Sequence, residues 1–326
     1  MINKTLLVDK YGREITYLRI SVTDRCNLRC VYCMPLEGIK YFNKTNILTF
    51  EEMERFSKIA VNLGVRKIKI TGGEPLVRKG IVNFIYSLKK IKGIDDISIT
   101  TNGILLNEMF DDLRDAGLQR INISVDSLDP ERYTEITRGG DLNKVKKGID
   151  KALENGLRIK INTVVLKDLT ENEIITLIEF GNEYGIEIRF IEFMPLCGNG
   201  WNNEYFVPIS SVKEKIEKRY NIKYLGRKGV ADRYSIDDSG SIGFITTMSE
   251  PSCSSCSRLR LTARGTLRPC LFSSLEVNIF KLLREERPDE VIESAIKKSV
   301  YIKPKWNPVL SGYEDPKKIF IRNVGG

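Results

Sequence analysis

Apolar and polar residues alternate in short stretches through the first part of the chain, up to about residue 194. The stretch Leu18-Arg19-Ile20-Ser21-Val22 is typical of a strand with one buried face. Further stretches of this kind lie at residues 67–71, 97–101, 120–125, 158–165 and 187–193. The pattern therefore predicts six strands in this part of the chain.

Helical spacing of apolar residues fills the segments between these strands, around residues 81–91, 108–116, 144–155 and 171–184. An earlier helix is predicted to begin after Thr49, with Glu52 completing a capping box, and to end at Gly64. This alternation predicts parallel βα units, which suit either a doubly wound sheet or an incomplete βα barrel. In both folds the functional loops lie at the C-terminal ends of the strands.

A different pattern begins after residue 198. It predicts a short amphipathic helix between residues 201 and 220, short strands within 222–248, a cysteine-bearing loop, and a helix around 289–299. We expect a domain boundary near residue 200. It divides the chain into residues 1–200 and 201–326, with the second part packed on the first.

Composition places the 326-residue chain among soluble globular proteins, with 41% hydrophobic and 29% charged residues. No apolar stretch approaches the roughly 20 residues of a membrane span, and the N-terminus lacks the apolar core of a signal peptide. We therefore expect a cytoplasmic location without membrane contact.

The absence of histidine excludes Ser-His-Asp and Cys-His catalytic pairs and zinc sites with histidine ligands. The net charge of +9 fits either a solvated basic surface or an anionic partner.

Seven cysteines, an odd number in a chain expected to stay reduced, argue against a disulfide framework. Cys26, Cys30 and Cys33 form a C-x3-C-x2-C group directly after the first predicted strand, where a βα loop carries function. Three thiolates suit a 4Fe–4S cluster with one iron left open for a small molecule. A zinc site that borrows a fourth ligand is the alternative.

A second group, Cys253, Cys256 and Cys270, has the spacing C-x2-C-x13-C. The same two interpretations apply to it: an iron–sulfur cluster with an open iron, or a structural zinc site. Cys197 is the remaining thiol and is either a buried residue or a fourth zinc ligand.

A glycine pair follows the second predicted strand, in Thr71-Gly72-Gly73-Glu74-Pro75. Residues without a Cβ let backbone approach a ligand closely, and the proline stiffens the exit from the turn. Taken alone, the segment is also compatible with an ordinary βα turn.

The first cysteine group, with Tyr32 before its last cysteine, resembles the signature of the radical S-adenosylmethionine superfamily, and the Gly-Gly-Glu-Pro segment matches a second motif of that superfamily. The resemblance implies that the open iron binds S-adenosylmethionine and that one electron from the cluster cleaves it to a 5′-deoxyadenosyl radical. The residues implied to contact this cofactor are Tyr32, Gly73, Ser124 and Met194.

Both cysteine groups together resemble, within that superfamily, the GTP 3′,8-cyclase family of molybdenum cofactor biosynthesis. The similarity covers nearly the whole chain and is carried by residues 18–27, 189–195, 253–261 and the terminal Gly325-Gly326. It implies an α/β fold, an incomplete (β/α)6 TIM-type barrel whose C-terminal α+β extension closes the barrel mouth. It also implies two 4Fe–4S clusters that face each other across this mouth, the second ligating the guanine ring.

In the reaction implied by the resemblance, the radical takes hydrogen from C3′ of the GTP ribose, and the carbon radical attacks C8 of guanine to give 3′,8-cyclo-7,8-dihydro-GTP. The residues implied to bind GTP are Arg19, Lys69, Thr100, Lys160, Arg258, Leu259 and Arg260. Relatives commonly carry arginine at the position of Lys69, and lysine loses the planar fork. The Gly325-Gly326 tail is implied to reach into the active site.

The implied partners are a reductant such as flavodoxin or ferredoxin and the downstream cyclic pyranopterin monophosphate synthase. A homodimer is compatible with the resemblance.

Two alternative functions stay open: a radical enzyme that modifies a peptide or RNA, and a zinc-stabilised nucleic-acid-binding protein. We expect no nucleic-acid partner, because the sequence has no RNP1 motif, no KH-type GXXG loop and no basic stretch interleaved with aromatic residues.

Overall fold

Six parallel strands form the centre of one sheet in the structure, a computed structural model that describes residues 6–196, 203–237 and 240–315. These strands are β1 (Tyr17–Ser21), β2 (Lys67–Thr71), β3 (Asp96–Thr101), β4 (Arg120–Ser124), β5 (Arg158–Val165) and β6 (Glu187–Glu192). They pair in chain order, so that Leu18 lies opposite Ile68 and Ile68 opposite Ile97. The six predicted strands are confirmed, with ends that differ by one residue at most.

Helices connect these strands and bury their apolar sides against one face of the sheet. They are α1 (Phe50–Asn62), α2 (Ile81–Lys89), α3 (Leu106–Asp115), α4 (Pro130–Thr137), α5 (Leu142–Glu154) and α6 (Glu171–Tyr184). The predicted capping box of Thr49 and Glu52 is present at the start of α1. The sequence pattern does not predict α4, because its eight residues are too few for a clear helical period.

The C-terminal part extends the sheet at both edges. Its elements are α7 (Ile209–Glu217), β7 (Ile222–Lys228), β8 (Ala231–Ile236), β9 (Gly240–Ile245), β10 (Arg258–Leu261), β11 (Thr266–Arg268), β12 (Val277–Asn278), α8 (Phe280–Arg284) and α9 (Asp289–Tyr301). β10 pairs in parallel with β1, and β9 pairs in parallel with β6. The strand order is β12-β11-β10-β1-β2-β3-β4-β5-β6-β9-β8-β7.

The sheet is open, since β12 and β7 end this order and no hydrogen bonds join them within the described ranges. A mostly parallel open sheet covered by helices confirms the predicted fold class, an α/β incomplete barrel. Closure of the mouth by the C-terminal extension stays a prediction.

The core runs across the expected boundary near residue 200. Leu259 and Leu261 of β10 belong to the same apolar core as Leu18 and Ile20 of β1. The two predicted domains thus share one sheet and one core. The division of the chain into residues 1–200 and 201–326 stays a prediction.

Candidate active site

The inner face of the sheet carries polar side chains, because residues that alternate with the buried aliphatic ones point away from the helices. Arg19 lies between Lys69 of β2 and Arg260 of β10. Of the residues predicted to bind GTP, those that lie on this inner face are Arg19, Lys69, Thr100, Lys160, Arg258 and Arg260. Leu259 differs, since its side chain is 1% exposed in the helix-facing core. Any contact of Leu259 with GTP would have to come from its backbone.

The cations on the inner face are buried and repel one another. Burial lowers the pKa of Lys69 well below its usual value, and the nearby Arg19 and Arg120 lower it further. Burial, Arg258 and Arg19 lower the pKa of Arg260 to about 9. The Nε atoms of Arg258 and Arg260 have no hydrogen-bond partner in the part of the chain that the structure describes. An anionic ligand would satisfy these donors and relieve the repulsion.

Glu187, at the start of β6, gathers three of these cations. Its carboxylate accepts hydrogen bonds from Nζ of Lys160 at 2.6 Å, Nε of Arg189 at 2.5 Å and Nε of Arg233 at 2.7 Å. Burial alone would raise the pKa of Glu187, but Arg189 and Lys160 bring it down to about 2. Burial and Arg189 lower the pKa of Lys160 to about 8, against the opposite effect of Glu187. Three cations on one carboxylate leave net positive charge in this part of the inner face.

The first cysteine loop follows β1 and is held by the end of α4. The backbone amides of Arg29 and Val31 donate to the carbonyls of Thr137 and Ile136, at 3.2 and 2.9 Å. The guanidinium of Arg138, a residue with φ of 53°, donates to the carbonyl of Arg29 at 3.2 Å. The last carbonyls of a helix lack intrahelical donors, so α4 uses its free end to fix the cysteine-bearing loop.

Gly72 and Gly73 let the loop after β2 pack directly on the cysteine loop. A Cβ at Gly72 would lie 2.7 Å from the carbonyl oxygen of Thr23, and one at Gly73 would lie 2.3 Å from that of Arg25. The amide of Gly73 donates to the carbonyl of Thr23 at 2.8 Å, and that of Glu74 donates to the carbonyl of Arg25 at 2.7 Å. The glycine pair thus has a steric role in the fold. The contact of Gly73 with S-adenosylmethionine stays a prediction.

The buried carboxylate of Glu74 connects the ends of β2 and β3. It accepts hydrogen bonds from the amide of Leu76 at 3.0 Å, from Oγ1 of Thr101 at 2.7 Å and from the amide of Asn102 at 2.7 Å. Burial raises the pKa of Glu74 to about 7. The side-chain amide of Asn102 lies 3.9 Å from Sγ of Cys26. Glu74 therefore positions a donor beside the first cysteine.

Tyr32 is joined to the ends of β4 and β5. Its hydroxyl donates to Oδ2 of Asp126 at 2.7 Å, and Oδ1 of Asp126 accepts from the amide of Val164 at 2.8 Å. Burial raises the pKa of Asp126 to about 6. Ser124 ends β4 on the inner face, opposite Asn162 of β5. The structure brings Tyr32 and Ser124 to neighbouring strand ends, and their contact with S-adenosylmethionine stays a prediction.

The second cysteine group lies in the segments before β10 and after β11. The amide of Cys256 donates to the carbonyl of Cys253 at 3.2 Å, which closes a turn between them. All three thiols line a cavity of about 60 Å³, together with Arg258 and other residues. The loops therefore place the predicted ligands of the second group around one cavity.

Cys256 differs electrostatically from the cysteines of the first group. Burial raises the pKa of the Cys26 thiol to about 12. Burial alone would also raise the pKa of Cys256, but Arg258 and Lys303 lower it to about 5. Within the second group, Cys256 is therefore poised to present a thiolate, the form that binds metal, whereas burial raises the pKa of Cys253. Cys26 and Cys253 must release a proton as they take up metal.

The two groups lie at opposite ends of the β1–β10 strand pair. Cys26 follows the C-terminal end of β1, whereas Cys256 precedes β10, whose Arg258 pairs with Tyr17 at the start of β1. The expectation that both groups surround one barrel mouth needs correction, because β10 runs parallel to β1 and its preceding loop falls at the N-terminal edge. The cation-lined inner face lies between them.

Met194 follows β6 and packs against a small apolar cluster of Leu196, Leu271 and Phe272, against which Cys270 also packs. The contact of Met194 with S-adenosylmethionine stays a prediction. Three further residues singled out from the sequence lie outside the described residues, namely Cys197, Gly325 and Gly326.

The donor sets fit iron–sulfur clusters. Each group presents three thiols that form no disulfide among the described residues, and Sγ of Cys26 accepts a hydrogen bond from the amide of Leu28 at 3.4 Å, a contact of the kind that tunes ligating sulfurs. Across residues 6–196, 203–237 and 240–315, no three His, Cys, Asp or Glu side chains are grouped so as to hold a single metal ion.

Comparison with known proteins decides the family. Residues 20–181 match the Radical SAM superfamily, and residues 186–308 match the family described as Molybdenum Cofactor Synthesis C. A GTP 3′,8-cyclase of Thermodesulfovibrio yellowstonii is 46% identical over 302 residues, which cover 91% of this chain and 94% of that protein. A GTP 3′,8-cyclase of Pelotomaculum thermopropionicum is 42% identical over 325 residues, covering 98% and 99%. The chain belongs to the GTP 3′,8-cyclase family.

Solved structures share the fold of this member of the cyclase family. Streptococcus suis SuiB bound to S-adenosylmethionine gives a TM-score of 0.64 at 18% identity, covering 87% of this chain and 69% of that one. Native anSMEcpe with bound AdoMet gives 0.61 at 16% identity, covering 91% and 82%. At these identities the likeness concerns the fold alone. Among the described residues, no helix is both long and apolar enough to cross a membrane.

Several site residues of this cyclase-family chain escape motif reasoning. Asn122 and Asn162 lie on the inner face, and the Oδ1 atom of each is buried without a hydrogen-bond partner in the described ranges. Strand alternation could have found them, since Asn122 is two positions from Ser124 and Asn162 two positions from Lys160. No sequence signal indicates Arg13 or Lys303, which reach the second cysteine group from distant parts of the chain. The same holds for Glu187.

Proposed function

We propose that this chain converts GTP to 3′,8-cyclo-7,8-dihydro-GTP, the first step of molybdenum cofactor biosynthesis. The observation that carries the proposal is full-length similarity to GTP 3′,8-cyclases, at 42–46% identity across both cysteine groups. The inner face of the sheet supports it independently. Buried cations such as Lys69 and Arg260 are repelled by their cationic neighbours there, and a nucleoside triphosphate supplies charge of the opposite sign.

The triphosphate of GTP would bind along the row formed by Arg258 and Arg260 of β10, Arg19 of β1 and Lys69 of β2. Arginine donates in a planar fork that suits phosphate oxygens, and the Nε atoms of Arg258 and Arg260 are buried without a hydrogen-bond partner among the described residues. Lys69 adds a positive charge but lacks the planar pair of donors that arginine offers. Its pKa is depressed by burial and by its cationic neighbours, so the arrival of an anion would favour its protonated form.

Thr100 and Lys160 would hold another part of GTP, since both lie opposite Asn122 on the inner face. Asn122 offers an amide donor and an acceptor between them, which suits hydroxyl groups of a ribose. Glu187 keeps Lys160 in place through its 2.6 Å hydrogen bond. These residues fix the position of the sugar, which limits side reactions at a radical stage.

The first cysteine group would hold a 4Fe–4S cluster through Cys26, Cys30 and Cys33. When bound, the cluster and S-adenosylmethionine supply the 5′-deoxyadenosyl radical that abstracts hydrogen from C3′ of the ribose. The residues that would orient S-adenosylmethionine are Tyr32, Gly73, Ser124 and Met194. The buried carboxylates of Asp126 and Glu74 would stabilise this arrangement indirectly, because they accept hydrogen bonds from Tyr32 and Asn102.

We further propose that Cys253, Cys256 and Cys270 hold a second 4Fe–4S cluster with an open iron for the guanine ring. The cavity shared by the three thiols and the lowered pKa of Cys256 support this assignment. The tail residues Gly325 and Gly326 are proposed to reach this site. A flavodoxin or ferredoxin would supply electrons, and cyclic pyranopterin monophosphate synthase would take the product, in the cytoplasm.

The decisive experiment incubates the anaerobically reconstituted, reduced protein with S-adenosylmethionine and GTP that carries deuterium at C3′. We expect 5′-deoxyadenosine to form only with GTP present and to contain deuterium. Formation with a peptide or RNA and not with GTP would overturn the proposal. Cys26→Ser is the matched control, because it removes one ligand of the first group and should abolish 5′-deoxyadenosine formation.

Metal analysis of the same sample tests the two cofactors separately. Two clusters require about eight irons per chain, and the triple variant C253S/C256S/C270S should retain about four. Two zinc ions and no iron would overturn the enzymatic assignment and favour a zinc-stabilised protein.

A further inference from the structure

Lys303, just after α9, bridges the two segments that carry Cys256 and Cys270. It is 2% exposed, and its Nζ donates to the carbonyl of Arg258 at 2.8 Å and to the carbonyl of Pro269. Arg258 lies two residues after Cys256, and Pro269 directly precedes Cys270. One buried ammonium therefore connects two thiol-bearing segments that come from different loops.

Arg13, before β1, binds the segment of Cys253 and Cys256 at a second point. Its guanidinium donates to the carbonyl of Cys253 at 2.8 Å and to the carbonyl of Pro304 at 2.7 Å. Asp9 forms an ion pair with Arg13 at 2.6 Å and so balances its charge. Arg13 and Lys303 together thus contact both cysteine-bearing segments, the one with Cys253 and Cys256 and the one that leads to Cys270.

Arg13 is paired with a carboxylate, whereas the negative charge near Lys303 comes from cysteine sulfurs. Burial lowers the pKa of Lys303, and the nearby Cys256 and Cys270 act in the opposite direction. A buried ammonium near sulfur ligands stabilises added negative charge there, because the interior screens the interaction weakly. Reduction of an iron–sulfur cluster adds one electron, and the net charge and hydrogen bonds around the sulfurs set its potential.

We propose that Lys303 is a positioning residue of the second cysteine group that fixes the spacing of Cys256 and Cys270 and raises the reduction potential of the cluster bound there. The inference rests on the second cluster of the proposed function. It assigns a role to a residue outside both cysteine motifs. It also gives the segment after α9 a function in the site.

The test uses the full chain with Cys26, Cys30 and Cys33 replaced by serine, so that iron signals come from the second group. In this background, Lys303→Gln removes the positive charge and keeps an N–H donor group. Lys303→Met removes the charge and the donor group, and Lys303→Arg keeps the charge. The measurements are the midpoint potential of the reconstituted cluster, followed by electron paramagnetic resonance, and the rate of iron loss to a chelator.

We expect Lys303→Gln and Lys303→Met to shift the midpoint to more negative values and to lose iron several-fold faster. Lys303→Arg should restore the potential, which a purely structural role would not require. Equal midpoints in Lys303→Gln and the parent, with iron bound in both, would overturn the inference and leave the proposed function intact. A parent chain without iron at the second group would overturn the second cluster and this inference together.

A measurement without substitution covers the case in which the neutral variants do not fold. With lysine labelled with ¹⁵N, the reduced second cluster should show nuclear modulation from a nearby lysine nitrogen in pulsed resonance spectra. Absence of that modulation would contradict the placement of Lys303 beside the cluster.

Discussion

The depressed pKa of Lys160 predicts a pH dependence of GTP binding. Burial and Arg189 bring this pKa to about 8, and a triphosphate favours the charged ammonium. GTP binding should therefore take up protons above pH 8, and its Kd should rise by up to about tenfold per pH unit. Calorimetry in buffers of different ionisation enthalpy measures both quantities. The Lys160→Met variant should bind GTP more weakly at pH 7 and lose this contribution to the pH dependence of Kd. A Kd of the unsubstituted protein that stays constant from pH 7 to 9 would contradict the prediction.

The lowered pKa of Glu187 predicts a second pH effect, on the stability of the fold. Its carboxylate has a pKa near 2 in the folded chain, below the ordinary value, so its contribution is complete above about pH 4.5 and is lost as the pH falls toward 2. Glu187→Gln should lower the free energy of unfolding at pH 7 by about 3 kcal/mol, because it leaves buried cations without their carboxylate. It should also flatten the decline in stability between pH 5 and 3.

Urea unfolding of the iron-free chain at several pH values measures the effect of Glu187→Gln. Glu179→Gln is the matched control, because Glu179 pairs with Arg219 at 3.3 Å on the exposed surface and should change stability little. Equal effects of the two substitutions would show that the cation cluster does not depend on Glu187.

At the scale of elements, the contact between the first two strand-end loops predicts a steric requirement at Gly73. A Cβ there would lie 2.3 Å from the backbone of Arg25, so Gly73→Ala must displace the cysteine loop. We expect a loss of about 1–3 kcal/mol of stability and of much of the iron bound by the first group. Iron analysis of the C253S/C256S/C270S background measures the second effect.

Gly156→Ala is the control for Gly73→Ala. Gly156 has φ of 69° and no neighbouring atom within 4 Å of an added Cβ, so the substitution strains the backbone without moving a loop. It should lower stability by about 1 kcal/mol and leave the iron content unchanged. Iron retention in Gly73→Ala equal to that in Gly156→Ala would contradict the steric argument.

Element prediction from sequence succeeded where the local pattern is strong and failed where pairing is distant. The alternation in β1 and the capping box at Thr49 specify their elements locally. β10 to β12 have two to four residues each, and their pairing depends on distant strands, so no local period indicates them. The cysteine groups were found through spacing, but Lys303 and Arg13 act through backbone carbonyls, which a residue pattern does not reveal. The order of the two groups along β1 and β10 likewise required the strand register.

At the scale of the whole molecule, the sheet joins the two parts of the chain through its central strands. β1 and β6 are edges of the six-stranded core until β10 and β9 pair with them. The substrate site has the same dependence, because Arg258 and Arg260 complete the cation row that begins with Arg19. Neither part of the chain therefore contains the proposed GTP site by itself.

This arrangement predicts that a chain ending at residue 200 does not fold as an independent domain. It would expose unpaired edges on β1 and β6, and the apolar faces of Leu18 and Ile20 would lose the contribution of Leu259 and Leu261. We expect the 1–200 fragment to be aggregated or partly unfolded in size-exclusion chromatography and circular dichroism. Coexpression with a 201–326 fragment should restore a soluble complex that binds iron at both cysteine groups. A monomeric, cooperatively unfolding 1–200 fragment that binds iron alone would instead establish the predicted boundary as one between independently folding domains.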